Sequence, residues 1–436
     1  MQTMADHEFE LNAVVQATRL LSEIALCESP ASSERVPSSG DLSQMMATIM
    51  LIQQFGGWSD AIRWEVMEPN LRVTPLGDVH ANLGFIEEVL MPFGHVTATT
   101  RILEAVDNYA TNVSPPTVAP SAEHAFEPQF LVAWQDEAGG TIDEFRLFID
   151  YVEDLGIRRS EAVLVLAKSD LTSEPSVDGR VLPTETAMAI VNFLTLRSRP
   201  SWTSVPSGYV DSDRQPWRFR RALSVLRRPI FQLDDAQDPT VVIAPGILRD
   251  AFLYTLGNFH RGDLPHRQLR PAMASWAGTT RAKIGEHFNI EVATRLKELG
   301  WEVEPQLRVT KLLRRGLDRD FGDIDVFAWM PASGRVLVIE CKDVQFRKTY
   351  GEIAEQLADF RGITSSDGIR DYLRRHLDRV DVVTAHLTSV AKYLDLARLE
   401  RVESHLVFRN PVPMEFALKH MAEQVRVSTY DNLHTI

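Results

Sequence analysis

Residues 322–342 read GDIDVFAWMPASGRVLVIECK, an Asp-bearing strand, a Pro- and Gly-punctuated turn and a second strand ending in Glu-Cys-Lys. Side chains two apart in a strand share a face. Asp325 therefore lies with Asp323 and Phe327 on the strand Asp323 to Trp329, and Glu340 with Lys342 on the strand Arg335 to Lys342. A turn over Pro331 to Gly334 closes the two into a hairpin and brings Asp325 and Glu340 toward one point. The backbone carbonyl of Cys341 supplies a further oxygen. Two carboxylates and waters suit a hard octahedral cation, Mg²⁺ or Mn²⁺. Lys342 then stands where it orients an attacking water and opposes the charge that builds on the phosphoryl transition state. The chemistry this pattern points to is cation-assisted phosphodiester hydrolysis. The plain alternative is a pair of solvated hairpin carboxylates with Lys342 paired to Glu340.

Spelling alone does not decide between the two. With 8 lysines and 60 acidic residues in 436 positions, about one acidic-x-Lys triplet is expected by chance, and Glu340 to Lys342 is the one that occurs. Context separates it from chance: the triplet ends an apolar strand, follows an Asp-bearing strand and a turn, and precedes an amphipathic stretch.

These residues resemble the PD-(D/E)xK nuclease superfamily, in its Mrr, junction-resolvase and RecB-like branches. Asp325 matches the family's first carboxylate, with Asp323 as the alternative, and Glu340, Cys341 and Lys342 match the ExK element. A helix from about Thr280 to Leu299, with Ile284, Phe288, Val292, Leu296 and Leu299 at helical spacing, stands where the family has its first helix. There the family usually reads Gly-x-x-Phe-Glu, whereas this chain reads Gly285-Glu286-His287-Phe288-Asn289. Asn289 takes the Glu position; Glu286, one turn earlier, is the carboxylate that can replace it, or is simply an acid near a helix start. Gln356 and Phe360 resemble the Gln-x-x-x-Tyr signature of RecB-like nucleases, with Phe for Tyr. The resemblance implies a restriction-endonuclease-like mixed sheet flanked by helices in the carboxy-terminal part. It also implies a nuclease acting on DNA more than on RNA, with Asp325, Glu340 and the Cys341 carbonyl as metal ligands and Lys342, Gln356 and Glu286 as further site residues. A retained fold that binds nucleic acid without cleaving it, or a nuclease acting on RNA, is the alternative.

A length of 436 residues predicts two or three domains. We read 1–112 as a helical amino-terminal region, 113–128 as a linker, 129–270 as mixed and mainly helical, and 271–436 as the nuclease-like domain. No apolar run reaches the roughly 18 to 20 residues of a membrane helix, and Met1 to Glu10 does not resemble a signal peptide. A cytoplasmic protein without a membrane partner is expected, its two cysteines, Cys27 and Cys341, unpaired. The net charge is −14. Residues 1–260 carry 19 basic against 35 acidic side chains and residues 261–361 carry 17 against 15. Arg308, Lys311, Arg314, Arg315 and Arg319 precede the first Asp as candidate phosphate contacts, or as a solvated hairpin tip. An acidic chain binds DNA weakly alone, which implies a partner protein that delivers substrate, and two-strand cleavage implies a homodimer. His260, Asp263 and His266 surround Pro265 in a loop and make a poor metal site. The stretch Trp202 to Arg221 is a recognition surface or packing. There is no phosphate-binding Gly-Lys-Ser/Thr loop.

Overall fold

A computed structural model describes residues 2–29, 35–98, 125–421 and 423–436. Its contacts gather into two units, Met1–Gly56 with Ser114–Arg281, and Gly57–Val113 with Ala282–Ile436. The segment 113–124 of the expected linker lies outside the described residues.

In the first unit, helices α1 (Gln2–Glu28) and α2 (Ser39–Arg63) are followed by α3 (Pro128–Ala138) and α4 (Ile142–Arg159); the unit boundary falls inside α2. Pro128 opens α3, where its missing N–H costs nothing, and Gly139 at φ 81° ends it. Thr141 starts α4 through a reciprocal cap: the Glu144 N–H donates to its hydroxyl at 3.2 Å, and its own N–H donates to the Glu144 carboxylate at 2.7 Å. Strand β1 (Leu164–Ala167), helix α5 (Thr184–Leu194), strands β2 (Thr195–Arg197), β3 (Ile230–Gln232) and β4 (Thr240–Ile243), and helix α6 (Pro245–His260) complete the unit. The strands form a mixed sheet in the order β1-β4-β3-β2. The segment 129–270 thus holds a sheet as well as helices, because Leu164, Leu166, Ile230, Val241 and Ile243 alternate into the core. Trp134 anchors that core, meeting Phe145, Phe252 and Phe259 edge-on at 5.3, 5.9 and 5.7 Å between ring centroids.

Trp202 to Arg221 is packing at its carboxy-terminal end, where Arg218 and Arg221 are buried. Arg221 pairs with Glu23, whose other oxygen accepts from the Val225 N–H at 2.8 Å. His260 pairs with Glu127 at 3.0 Å and stacks on Trp276, and Asp263 pairs with Arg261 at 3.0 Å. The His266 side chain lies outside the described residues.

The second unit begins with the last turns of α2 and takes up α7 (Pro271–Glu298) from Ala282 onward. The helix starts nine residues before the expected Thr280, at a proline suited to a first turn. Strand β5 (Glu302–Arg308), helix α8 (Val309–Leu313), strands β6 (Asp323–Met330) and β7 (Arg335–Lys342), helices α9 (Tyr350–Ala358) and α10 (Tyr372–Ala385), and strands β8 (Arg401–Phe408) and β9 (Arg426–Thr429) follow. The sheet order is β9-β8-β7-β6-β5, antiparallel from β5 to β7 and parallel from β7 to β9. The parallel step needs a crossover, supplied by the segment that carries α9 and α10.

Strand β7 is covered on both faces, which explains its near-continuous apolar run. Leu337, Ile339 and Cys341 pack with Phe288, Val292 and Leu296 of α7; Val336 and Val338 pack with Val383 of α10. A third core joins Phe85, Val89, Leu90 and Phe93 to Ile353, Leu357, Leu406 and Phe408. Residues 57–98, grouped above with the helical amino-terminal region, therefore share a core with α9 and β8. Counted by unit, basic and acidic side chains number 20 and 28 in the first and 26 and 32 in the second. The second unit is acidic too, a balance that the sequence divided at residue 260 concealed.

Candidate active site

The hairpin closes as its spacing predicts. The Gly334 and Ser333 N–H groups donate to the Met330 carbonyl at 2.9 and 3.2 Å. Gly334 takes φ 64°, and a Cβ there would stand 3.1 Å from the Arg398 carbonyl oxygen and the Glu400 nitrogen, so both backbone and space favour glycine. Val326 pairs with Ile339 and Met330 with Arg335. This register sets Asp325 across from Glu340, on the face that carries Phe327 and Val338 toward α10.

At the open end of the hairpin the Lys342 ammonium donates to Glu340 Oε1 at 2.5 Å and to the Cys341 carbonyl at 3.2 Å, and lies 3.6 Å from Asp325 Oδ2. The Cys341 N–H donates to the same Asp325 oxygen at 2.9 Å. Glu340 Oε2 accepts from Arg379 of α10, whose Nε also donates to the Phe321 carbonyl at 2.9 Å. Beneath Glu340, the buried His376 shares a hydrogen bond of 2.9 Å with the Ser404 hydroxyl.

Burial works against the charge of Glu340, but Lys342 and Arg379 outweigh it and bring its carboxyl down to about 2. Asp325 goes the other way, raised by burial and then by the neighbouring Glu340 charge. Burial also opposes the Lys342 charge, yet Glu340 and Asp325 overcome it and raise its pKa. Lys342 is therefore held as an ammonium. Burial pushes the Cys341 thiol up and lowers His376 to about 4, so neither contributes a charged group at neutral pH. The Cys341 side chain points into the core; its carbonyl is what faces the cluster.

The three oxygens proposed from the sequence as metal ligands thus converge on one point, and an ammonium stands there in the place of a cation. Hard oxygen donors around a positive centre fit Mg²⁺ or Mn²⁺. No group of three or more His, Cys, Asp or Glu that could hold a metal occurs among the described residues, so Asp325, Glu340 and the Cys341 carbonyl would need waters to complete a shell.

The other expected residues stand apart. Asp323 is exposed and pairs with Arg308 at 3.5 Å, leaving Asp325 as the carboxylate of the cluster. Glu286 is exposed on α7, and among the described residues no ion pair or hydrogen bond joins it to Asp325, Glu340 or Lys342. Asn289 is buried. Helix α7 reaches the site's edge through Glu291 instead: Arg409 lies over the Phe288 ring, 2.8 Å from Glu291 and 2.6 Å from Asp343, the residue after Lys342. Gln356 is buried on α9 without a hydrogen bond to the cluster among the described residues. Much of the basic stretch is engaged within the protein: Lys311 with Glu304 at 2.6 Å, Arg319 with Asp378 at 2.8 Å, and Arg314 over the Tyr393 ring.

Fold and site define an α/β protein with a half-buried cluster of two carboxylates and a lysine at the open end of a hairpin. The chain belongs to the Upx-like family of anti-phage proteins, whose family model matches residues 1–434. Comparison with curated proteins and with solved structures returns no match. Among the described residues no helix is long and apolar enough to cross a membrane, and both cysteines are free thiols.

Proposed function

We propose that this protein is a metal-dependent nuclease that hydrolyses phosphodiester bonds, in DNA more readily than in RNA, as its part in phage defence. The observation that carries the reading is the convergence of Asp325 Oδ2, Glu340 Oε1 and the Cys341 carbonyl on the Lys342 ammonium. Anti-phage family membership supports the setting. An antiparallel three-strand meander continued by parallel strands, with α7 on one face and α10 on the other, supports a restriction-endonuclease-like domain.

Asp325, Glu340 and the Cys341 carbonyl would hold Mg²⁺ or Mn²⁺, which when bound lowers the pKa of water and polarises a phosphoryl oxygen. Lys342, kept protonated by its carboxylate neighbours, donates hydrogen bonds from Nζ to the attacking water and the developing phosphoryl charge and does not act as a proton acceptor. Glu286, exposed on α7, serves at a distance through water or substrate, and Gln356, buried on α9, serves by holding that helix in place. A partner protein that delivers nucleic acid, and a homodimer for two-strand cleavage, belong to the same proposal.

A second reading, a module that binds nucleic acid without cutting it, is favoured by the buried Asn289 at the usual carboxylate position and by the exposed Glu286. The deciding experiment is Mg²⁺- and Mn²⁺-dependent cleavage of linear, single-stranded and branched DNA and of RNA by the purified chain, beside Lys342→Ala. Cleavage that falls by two orders of magnitude or more in the variant supports the nuclease. Nucleic-acid binding without cleavage by a folded wild type supports the second reading.

A further inference from the structure

Among the described residues, Arg379 is the arginine that pairs with a carboxylate of the cluster. Its Nη1 takes Glu340 Oε2 and its Nε takes the Phe321 carbonyl, the residue before the Gly322 turn that starts β6. The side chain is 14% exposed. Glu340 gives its other oxygen to Lys342. Both oxygens of the more deeply buried carboxylate are thus held by the protein's own cations: a divalent ion on Oε1 takes the place of Lys342 and meets the charge of Arg379 held on Oε2. Lys342 belongs to the hairpin triplet; Arg379 belongs to no motif of the sequence.

A guanidinium left beside a bound divalent ion repels it, and a planar fork released from a carboxylate is shaped to take two oxygens of a phosphate. Resting on the nuclease reading, we propose that Arg379 gates cation entry: it holds Glu340 in the cation-free protein and passes to a nucleic-acid phosphate when a divalent cation takes that carboxylate. Cation and nucleic acid then strengthen each other's binding by one and the same factor. A purely structural clamp between the β6 turn and β7 has the opposite signature. Removing a clamp loosens Glu340 and weakens cation binding, whereas removing a gate takes away a repelling charge and strengthens it.

The test is calorimetric titration of Mn²⁺ into the full chain, as wild type, Arg379→Gln and Arg379→Lys. Each is titrated alone and with a short duplex DNA of phosphorothioate linkages, which keep their charge and resist hydrolysis. The duplex is expected to tighten Mn²⁺ binding to wild type by about tenfold or more, a coupling of about 1.4 kcal/mol. Arg379→Gln is expected to bind Mn²⁺ about tenfold more tightly than wild type without DNA and to gain less from the duplex than wild type does. Arg379→Lys keeps the charge, so its affinity without DNA stays near wild type while its coupling shrinks. Should the Gln variant not fold, the reduced coupling of the Lys variant decides. A folded Arg379→Gln that binds Mn²⁺ no more tightly than wild type, or keeps full coupling, overturns the gate. Loss of binding in Asp325→Asn identifies the titrated site. Wild-type binding that is absent, or indifferent to that substitution, overturns the nuclease reading and the gate together; site-specific binding with an unresponsive Arg379→Gln overturns the gate alone.

Discussion

Burial and the charge of Glu340 make an ionised Asp325 unfavourable in the folded protein, even though Lys342, the Cys341 N–H and Arg379 favour it. In the unfolded chain the same carboxyl titrates normally, at about 3.9. A folded value raised above the unfolded one means that the proton is bound more tightly in the native state. Ionised Asp325 therefore costs stability above its folded pKa and costs nothing below the unfolded one. Asp325→Asn, near in shape and uncharged, is expected to raise the melting temperature at pH 7.5, with the gain shrinking as pH falls through the raised value. A scanning-calorimetry series from pH 7.5 to 4 reads this, and a variant less stable than wild type at pH 7.5 would contradict it. The same substitution removes a ligand of the proposed cation, so stability and activity are expected to part company at this position. Asp325, Glu340 and Lys342 were legible in the sequence because a period of two leaves each one face to occupy. Arg379 was not: it lies 37 positions beyond Lys342 on a helix rich in arginine, where Arg374 and Asp378 pair locally, and no spacing rule singles out the arginine that turns toward the sheet.

At the level of elements, the hairpin is set by its turn. Gly334 combines a left-handed backbone with backbone atoms 3.1 Å from where a Cβ would stand. Gly334→Ala is expected to cost about 1 to 3 kcal/mol, seen as a lower urea midpoint at an unchanged slope. Loss of the β6 and β7 register would displace Asp325 from Glu340, so the proposed cleavage is expected to fall further than the folded fraction does. A midpoint within error of wild type would show that the turn relaxes. The strands β6 and β7 and the helices α7 and α9 follow from local patterning. The short strands β2 and β3 did not, because three residues carry too little periodicity, and β3 emerges from a stretch whose order comes from the buried Glu23 and Arg221 pair. The link from Glu291 through Arg409 to Asp343 joins three separate segments and leaves no trace in any one of them.

On the scale of the whole molecule, the second unit draws its core from two parts of the chain. Trp58, Trp64, Phe85 and Phe93 pack with α9, and the Phe93 ring stacks on Phe346 at 5.5 Å in the segment between Lys342 and α9. A fragment of residues 271–436, the domain that sequence reading marks out, therefore lacks part of its interior. It is expected to be poorly soluble or rapidly proteolysed, while the full chain resists at the same protease concentration. A fragment as protease-resistant as the full chain would show that residues 57–98 add little. Long-range assembly of this kind is invisible to local pattern, since a helix of 1–98 can be read as a helix without its sequence stating its partner. The interleaving also orders events during synthesis. Residues 57–98 leave the ribosome well before the strand β8 that completes their core, and at about 5 to 20 residues per second they wait on the order of 15 to 60 seconds. The carboxylates of the cluster acquire their setting only after Arg379 and the strand β8, which pairs with β7, have been made. On the proposed reading, a nascent chain carries no assembled cluster until those later segments have been made.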